Sequence, residues 1–213
     1  ASSGDATVVA LSEAGTAPNE HVGSKTECAL LQVCLDLGVE YSELRKEGAT
    51  LRLIPFNSDR KRMSKVIHRN HSTRVHSKGA SEVMLDLCTQ QVDENGAVSD
   101  FTPKQKDVYL RHIDHYASDG LRTLVLAYKD YPEDHGISDW DEESIDDIEK
   151  NLVFLCLVGI QDPVRPEVPE AIQQCKSAGI VVRMVTGDNV TTATTIAREC
   201  GILDSKNDLG MRV

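Results

Sequence analysis

Three short stretches carry residue types that could hold an anionic or aromatic ligand. Lys78-Gly79-Ala80-Ser81 sets a cation and a glycine just before a helix-like run. A helix start offers free amides and a favourable dipole to an anion, glycine admits close approach, and lysine adds charge. A plain strand-to-helix turn has the same spacing, and both readings stand at this point. Phe56 is followed by Asp59-Arg60-Lys61-Arg62. An aromatic ring beside a basic cluster can stack a base and hold phosphates. A core Phe beside a solvated turn is the alternative. Gly187-Asp188 follows the β-branched run 180–185 with one residue, Thr186, between. In open α/β sheets ligands gather at the C-terminal ends of strands, where a carboxylate suits Mg2+ or a nucleotide.

Other chemistries lack their residues. There is no Gly-x-x-x-x-Gly-Lys-Ser/Thr, no Gly-x-Gly-x-x-Gly and no serine nucleophile elbow. His112 and His115 stand three apart on a predicted helix, and His68 and His71 form a similar pair. No adjacent Glu or third ligand completes a zinc set, so these read as surface histidines.

The elements that must position these residues follow from pattern. Ser24-Lys25-Thr26-Glu27 has the form of a capping box, with the Ser hydroxyl turned to the N3 amide and Glu27 reaching back. Ala29, Leu30, Val33, Cys34 and Leu37 then recur at helical spacing, and Gly38 closes the run. A second short helix is expected after Ser42. Residues 51–56, 64–69, 73–77 and 121–128 read as strands joined mostly by short turns, which implies antiparallel pairing. The run Lys78–Glu82 opens a helix with Val83, Met84, Leu87 and Cys88 on its apolar side, and Asp93–Gly96 is a turn. Thr102-Pro103 opens a longer helix whose inner stripe is Tyr109, Ile113, Tyr116 and Ala117. The acidic run Asp139–Glu149 reads as a solvated loop and short helix. Leu152–Ile160 is apolar without alternation, as for a strand covered on both faces.

Pro163, Pro166 and Pro169 then make a rigid joint. Beyond it the pattern predicts a helix over 166–178, a strand over 180–185, a polar turn at Thr186–Asn189 and a helix to Cys200. The expected fold class is α+β, an antiparallel sheet flanked by helices, followed by an incomplete α/β fragment. The boundary is expected at 161/162, with 1–161 as one domain and 1–23 as its poorly ordered start.

Composition bounds the function. The 213 residues include 23 Lys plus Arg and 34 Asp plus Glu, a formal net charge of −11. Phosphate contact over a broad surface needs a basic excess, so nucleic-acid binding is disfavoured. At 40% hydrophobic and 27% charged, the chain reads as globular rather than disordered. The longest apolar run, Leu152–Ile160, is about nine residues against the roughly 20 that a bilayer needs. No basic-then-apolar leader is visible. The six cysteines show no C-x-x-C pair and read as free buried thiols in a reducing compartment.

Taken together, six segments resemble the cytoplasmic catalytic region of P-type cation-transporting ATPases, above all the plasma-membrane-type calcium pumps. They are Ser24–Leu30, Pro55–Ser64, Ser77–Glu82, Asp119–Thr123, Val158–Val168 and Arg183–Asn189. Their order and intervals match the family over residues 25–201, and the runs 162–168 and 183–189 point to the calcium subgroup. The resemblance implies a nucleotide-binding domain up to about 160. After it comes a hinge and part of the phosphorylation domain, a haloacid-dehalogenase-like fold.

By the same resemblance, Phe56 stacks on adenine and Glu27 meets its amino side. Lys78 and Gly79 line the pocket, Lys61 lies at its edge and Arg122 reaches the phosphates. Thr186, Gly187 and Asp188, with Asp162 and Arg165, meet the phosphates or organise the joint. The implied cofactors are ATP and Mg2+. The implied partners are ATP and the remainder of a pump, with its transmembrane, actuator and phosphorylation domains. The implied location is the cytoplasmic face of a membrane, with no membrane contact by these residues themselves.

Two departures stand out. The family's acceptor run Asp-Lys-Thr-Gly-Thr and its Gly-Asp-Gly metal segment are absent from these residues. No catalytic residue is therefore assigned, and nucleotide binding without turnover is expected. Many relatives also carry an Arg two positions after the stacking Phe, where Ser58 stands here, and Arg60 is the candidate substitute. A pump for another cation, or a non-catalytic module whose acidic 139–149 segment docks a basic partner, are the alternatives.

Overall fold

In the computed structural model, residues 6–9, 20–69 and 71–203 are described. Contacts divide the chain into two units, Ala1–Thr102 with Val125–Cys156, and Pro103–Leu124 with Leu157–Val213.

In the first unit, β1 (Thr7–Val9) pairs antiparallel with β2 (Glu20–Val22) and packs on α1 (Lys25–Asp36). Ala6, Val8, Cys28, Leu31 and Tyr41 form a small core there. The Tyr41 hydroxyl accepts from Val8 N at 2.9 Å. This much of the expected poorly ordered start is a packed hairpin, and its other residues lie outside those described. Gly38, at φ 74°, closes α1 as predicted, with Val39 N donating to Cys34 O at 2.8 Å. The short α2 (Tyr41–Lys46) follows.

Three strands succeed it: β3 (Ala49–Asn57), β4 (Arg62–Arg69) and β5 (Ser72–Ala80). Their pairing is antiparallel, as the short turns predicted. Next come α3 (Ser81–Leu87), β6 (Cys88–Val92), β7 (Val98–Asp100), α4 (Pro103–Ser118), β8 (Arg122–Tyr131), α5 (Ile145–Ile148) and β9 (Leu152–Ile160). Seven strands make one sheet in the order β3-β4-β5-β8-β9-β6-β7.

The sheet is mixed rather than antiparallel, because β6 runs parallel to β9, with Cys88 opposite Leu152 and Gln91 opposite Phe154. Adjacent-strand reasoning misses this, since more than 50 residues separate the two partners. β9 is buried at Leu152, Val153 and Phe154 but half-exposed further on, so only its first part is covered on both faces.

One face of β3–β5 carries Ile54, Val66 and Val75, packed against Trp140 and Ile148. Tyr131 stacks edge-on against Trp140, with ring centroids 5.1 Å apart. The acidic run 139–149 is thus a cover for the sheet. Its Asp139, Asp141, Asp146 and Asp147 stay exposed, but Trp140, Ile148 and Glu149 are buried and Ile145 is partly so. This corrects the solvated-loop reading: Trp140, Ile145 and Ile148 recur within the acid.

In the second unit, Ile113 and Ala117 are the buried residues of α4. The unit also holds α6 (Val168–Ser177) and α7 (Val190–Glu199). Asn189 caps α7 by accepting from Thr191 N at 2.8 Å. The Thr192 hydroxyl donates to Leu121 O at 3.1 Å. The strand expected over 180–185 does not form. Val181 and Val185 are exposed, Val185 at 97%. β-branched residues favour extended backbone, but a strand also needs a neighbour for its amides and carbonyls.

None of the six cysteines is in a disulfide. Cys28, Cys88 and Cys200 are buried, whereas Cys34, Cys156 and Cys175 are only partly so, which corrects the all-buried reading. Among the described residues, no helix is long and apolar enough to cross a membrane.

Candidate nucleotide site

Strand register decides which residues share a face. Ile54 pairs with Ser64 and Asn57 with Arg62, so two β3 residues, Pro55 and Phe56, stand against the single Met63. That is a bulge. Met63 in turn pairs with Lys78 on β5. Ile54 and Asn57 share the Trp140 side with Ser64 and Arg62, so Phe56 falls on the opposite side, with Met63 and Lys78. The three form one row across three strands. With strands spaced about 4.8 Å, the backbones of Phe56 and Lys78 stand about 10 Å apart. A planar bicycle fits that width.

The ends of the row differ. Phe56 is 64% exposed, on an edge strand, with its ring open to solvent. Lys78 is 5% exposed, and its Nζ donates to Glu27 Oε1 on α1 at 2.8 Å. Burial lowers the Lys78 pKa from the ordinary lysine value, and the Glu27 carboxylate opposes that shift. Glu27 thus gives one carboxylate oxygen to Lys78. The Ser24 side chain makes no capping hydrogen bond, and the backbone Cys28 N donates to Ser24 O at 2.9 Å. The Ser24 half of the capping-box reading is corrected, and Glu27 supplies the counter-charge that a buried ammonium needs.

Gly79 is needed for a different reason from ligand access. A Cβ there would lie 2.5 Å from Arg62 Cβ, 2.7 Å from Lys61 O and 2.9 Å from Arg62 Cα. The space is filled by β4. Lys61 is exposed at the end of the β3–β4 turn, in the left-handed region at φ 53°. Its carbonyl accepts from Ala80 N at 2.9 Å, which ties the turn to the end of β5. Only seven residues long, α3 leaves the row of β3–β5 side chains, not a helix end, as the candidate surface.

Arg60 is committed elsewhere. Its Nη1 donates to Glu149 Oε1 at 2.9 Å and Oε2 at 2.8 Å, and its Nη2 donates to Pro55 O at 2.8 Å. Arg62 Nε donates to Glu149 Oε2 at 2.7 Å, and Ser64 Oγ to Oε1 at 2.7 Å. Arg60 is thus not a free stand-in for the arginine missing at Ser58. Sequence reasoning overlooked Glu149 and Ser64, and read Arg62 only as part of a phosphate-holding cluster. The available signal was Arg62 and Ser64 at period two with the apolar Val66, which puts two polar groups on one buried face that needs a polar partner.

A second group lies in the second unit. Arg122 Nε meets Asp188 Oδ1 at 3.0 Å, and its Nη1 meets Asp162 Oδ2 at 3.3 Å. Asp188 N donates to Thr186 Oγ1 at 3.1 Å. Arg122, Asp162, Thr186 and Asp188 are thus brought together, and a phosphate reaching Arg122 would compete with two carboxylates. Arg165 is exposed and outside this cluster, and Gly187 borders open space. Thr186 and Asp188 also border an open cleft of about 780 Å³ lined by Val182, Met184, Ala197 and Leu203. His68, His71, His112 and His115 are all exposed, as the lack of a completing ligand in the sequence suggested. Among the described residues, no group of three or more His, Cys, Asp or Glu could hold a metal ion, so no step is assigned to Mg2+.

A family profile described as "P-type ATPase, cytoplasmic domain N" matches residues 5–167. The chain belongs to the P-type ATPases. It is 49% identical over 184 residues to the calcium-transporting ATPase PAT1 of Dictyostelium discoideum, covering 86% of this chain and 16% of that protein. It is 47% identical over 193 residues to the human plasma membrane calcium-transporting ATPase 1, covering 88% of this chain and 16% of that protein. Against human plasma membrane calcium-transporting ATPase 3 the identity is 45% over 199 residues, 91% of this chain and 16% of the relative. The chain thus spans about one sixth of the length of these P-type ATPases. The family match covers β1 to β9 whole, and with them the Phe56–Met63–Lys78 row.

Proposed function

We propose that this chain is the ATP-binding region of a P-type calcium-transporting ATPase, and that the row Phe56–Met63–Lys78 is where the nucleotide base sits. One observation carries the reading: an exposed aromatic ring and a buried lysine share a sheet face at the width of a purine. Phe56 stacks on the base, a contact available to any planar heterocycle. Lys78, held by Glu27, lines the inner side, with Gly79 behind it and Lys61 at the rim.

In the parent pump the terminal phosphate is delivered to an aspartate of the phosphorylation domain, and domain closure supplies the in-line geometry. Residues 162–213 belong, on this reading, to the hinge and part of that haloacid-dehalogenase-like domain. Arg122, Asp162, Arg165, Thr186, Gly187 and Asp188 then face the phosphates or the joint. Mg2+ arrives with ATP and supplies charge neutralisation on its phosphates. Ca2+ is the cargo, by likeness to relatives named calcium-transporting. The domain lies at the cytoplasmic face of a membrane, and its partners are the transmembrane, actuator and phosphorylation domains.

The test is a titration with ATP, ADP and AMP followed by backbone chemical shifts. Shifts are expected to centre on β3–β5 near Phe56 and Lys78 for all three ligands. Phe56→Ala removes most of the affinity, about tenfold or more, since stacking contributes roughly 1–3 kcal/mol per base. Undiminished affinity in that variant refutes the assignment.

A further inference from the structure

We propose that Glu149 and Arg60 are positioning residues for Phe56, a proposal that rests on the reading of Phe56 as the base-stacking ring. Phe56 sits in a bulge on an edge strand, where a backbone has few neighbours to hold it. Something must define the direction of an aromatic ring that is 64% exposed.

The structure supplies a clasp on the opposite face of the sheet. The Glu149 side chain is fully buried, and it reaches β3–β4 from a position 89 residues after Arg60. Its two oxygens accept from Arg60, Arg62 and Ser64, and the Ser64 hydroxyl lies 2.8 Å from that of Ser77 on β5. Arg60 then turns its second nitrogen to the carbonyl of Pro55, the residue before Phe56. Arg62 Nη1 donates to Arg60 O at 3.2 Å. On the other flank, Asn57 Oδ1 accepts from Asp59 N at 2.8 Å and Arg60 N at 3.1 Å, and Lys61 N donates to Asn57 O at 2.7 Å.

Both peptide neighbours of Phe56 are therefore anchored. The anchor on the Pro55 side depends on one guanidinium bridging a buried carboxylate and a backbone oxygen. A planar fork can serve both acceptors at once. Holding the ring in its binding direction before ligand arrives removes an ordering cost from association.

The experiment measures affinity of the 213-residue chain for adenosine and for ATP by chemical-shift titration. Four proteins are compared: wild type, Arg60→Ala, Phe56→Ala and the double variant. Arg60→Ala leaves Glu149 with Arg62 and Ser64, so the fold is retained, and a thermal melt checks this. The expected result is a loss of about three- to tenfold that is equal for adenosine and ATP, with no further loss when Arg60→Ala is added to Phe56→Ala. Glu149→Gln is expected to lose adenosine affinity in the same way, and Arg60→Lys not to restore it.

An arginine acting directly on phosphate would instead weaken ATP and spare adenosine, which overturns the proposal. So does unchanged adenosine affinity in Arg60→Ala, or an additive loss in the double variant. If Phe56→Ala alone leaves both affinities intact, the stacking assignment itself fails. If only Arg60→Ala does so, the stacking stands and the clasp falls.

Discussion

Gly79→Ala separates a glycine kept for ligand access from one kept for strand packing. Gly79 is buried and pairs with Arg62, one residue beyond the Met63–Lys78 pair. Its φ lies outside the left-handed region, so a side chain meets no torsional barrier there and the obstacle is space alone. The added methyl would meet Arg62 Cβ at 2.5 Å, Lys61 O at 2.7 Å and Arg62 Cα at 2.9 Å. None of these atoms is the far end of a flexible side chain, so the strands themselves must separate. Overpacking costs typically 1–3 kcal/mol, and backbone obstruction puts this site near the top, about 3 kcal/mol. For a chain of this size that corresponds to a fall of roughly 6–12 °C in melting temperature. The assay is thermal unfolding by circular dichroism without nucleotide, followed by an ADP titration well below the transition. A melting temperature within a degree of wild type, combined with lost ADP binding, would show that the space is kept for ligand and would refute the packing argument.

Two further outcomes follow from buried ionisable groups. His76 lies on the Lys78 face, where burial first and then the Arg74 and Lys65 charges, opposed by Asp130, lower its pKa to about 4. The folded state thus binds fewer protons than the unfolded one between about pH 6.5 and 4. Stability is full above that window and is lost as pH falls through it, by about 2 kcal/mol from pH 7 to pH 5. Urea denaturation should show this slope in wild type and a flatter one in His76→Gln, and equal slopes would contradict it. Glu27→Ala strips the buried Lys78 ammonium of its carboxylate and should destabilise by about 3 kcal/mol. A denaturation midpoint unchanged from wild type would mean that solvent, not Glu27, balances that charge.

Much of the fold was legible because it is written locally. Gly38, Gly179 and Gly201 each adopt the positive φ that ends a helix, and Asn189 caps the last one. The strands of β3–β5 were readable from short alternating runs between turns. The chemistry-bearing residues were legible as types: Phe56 beside basic residues, Lys78 beside glycine. Other expectations failed where a local preference met a distant competitor. Ser24 looked like a cap for its own helix start but makes no capping hydrogen bond, and Glu27 gives an oxygen to the buried Lys78, 51 residues on. Arg60 looked free beside a solvated turn, but Glu149 claims it from across the sheet. Residues 180–185 have the local marks of a strand, yet among the described residues no neighbour pairs with them.

The sequence by itself determined α1, the strands β3–β5, β8 and β9, though not β1, β2, β6 or β7, and the motif order that marks a P-type ATPase. Those depend on torsional preference, capping and residue identity, which act over a few positions. Only tertiary structure decided that β6 runs parallel to β9, that Phe56 and Lys78 share a face, and that Glu149 is buried. Each turns on pairing between segments far apart in the chain. Such pairing is settled by competition among all possible partners for burial and charge, and short-range pattern holds no record of which partner wins.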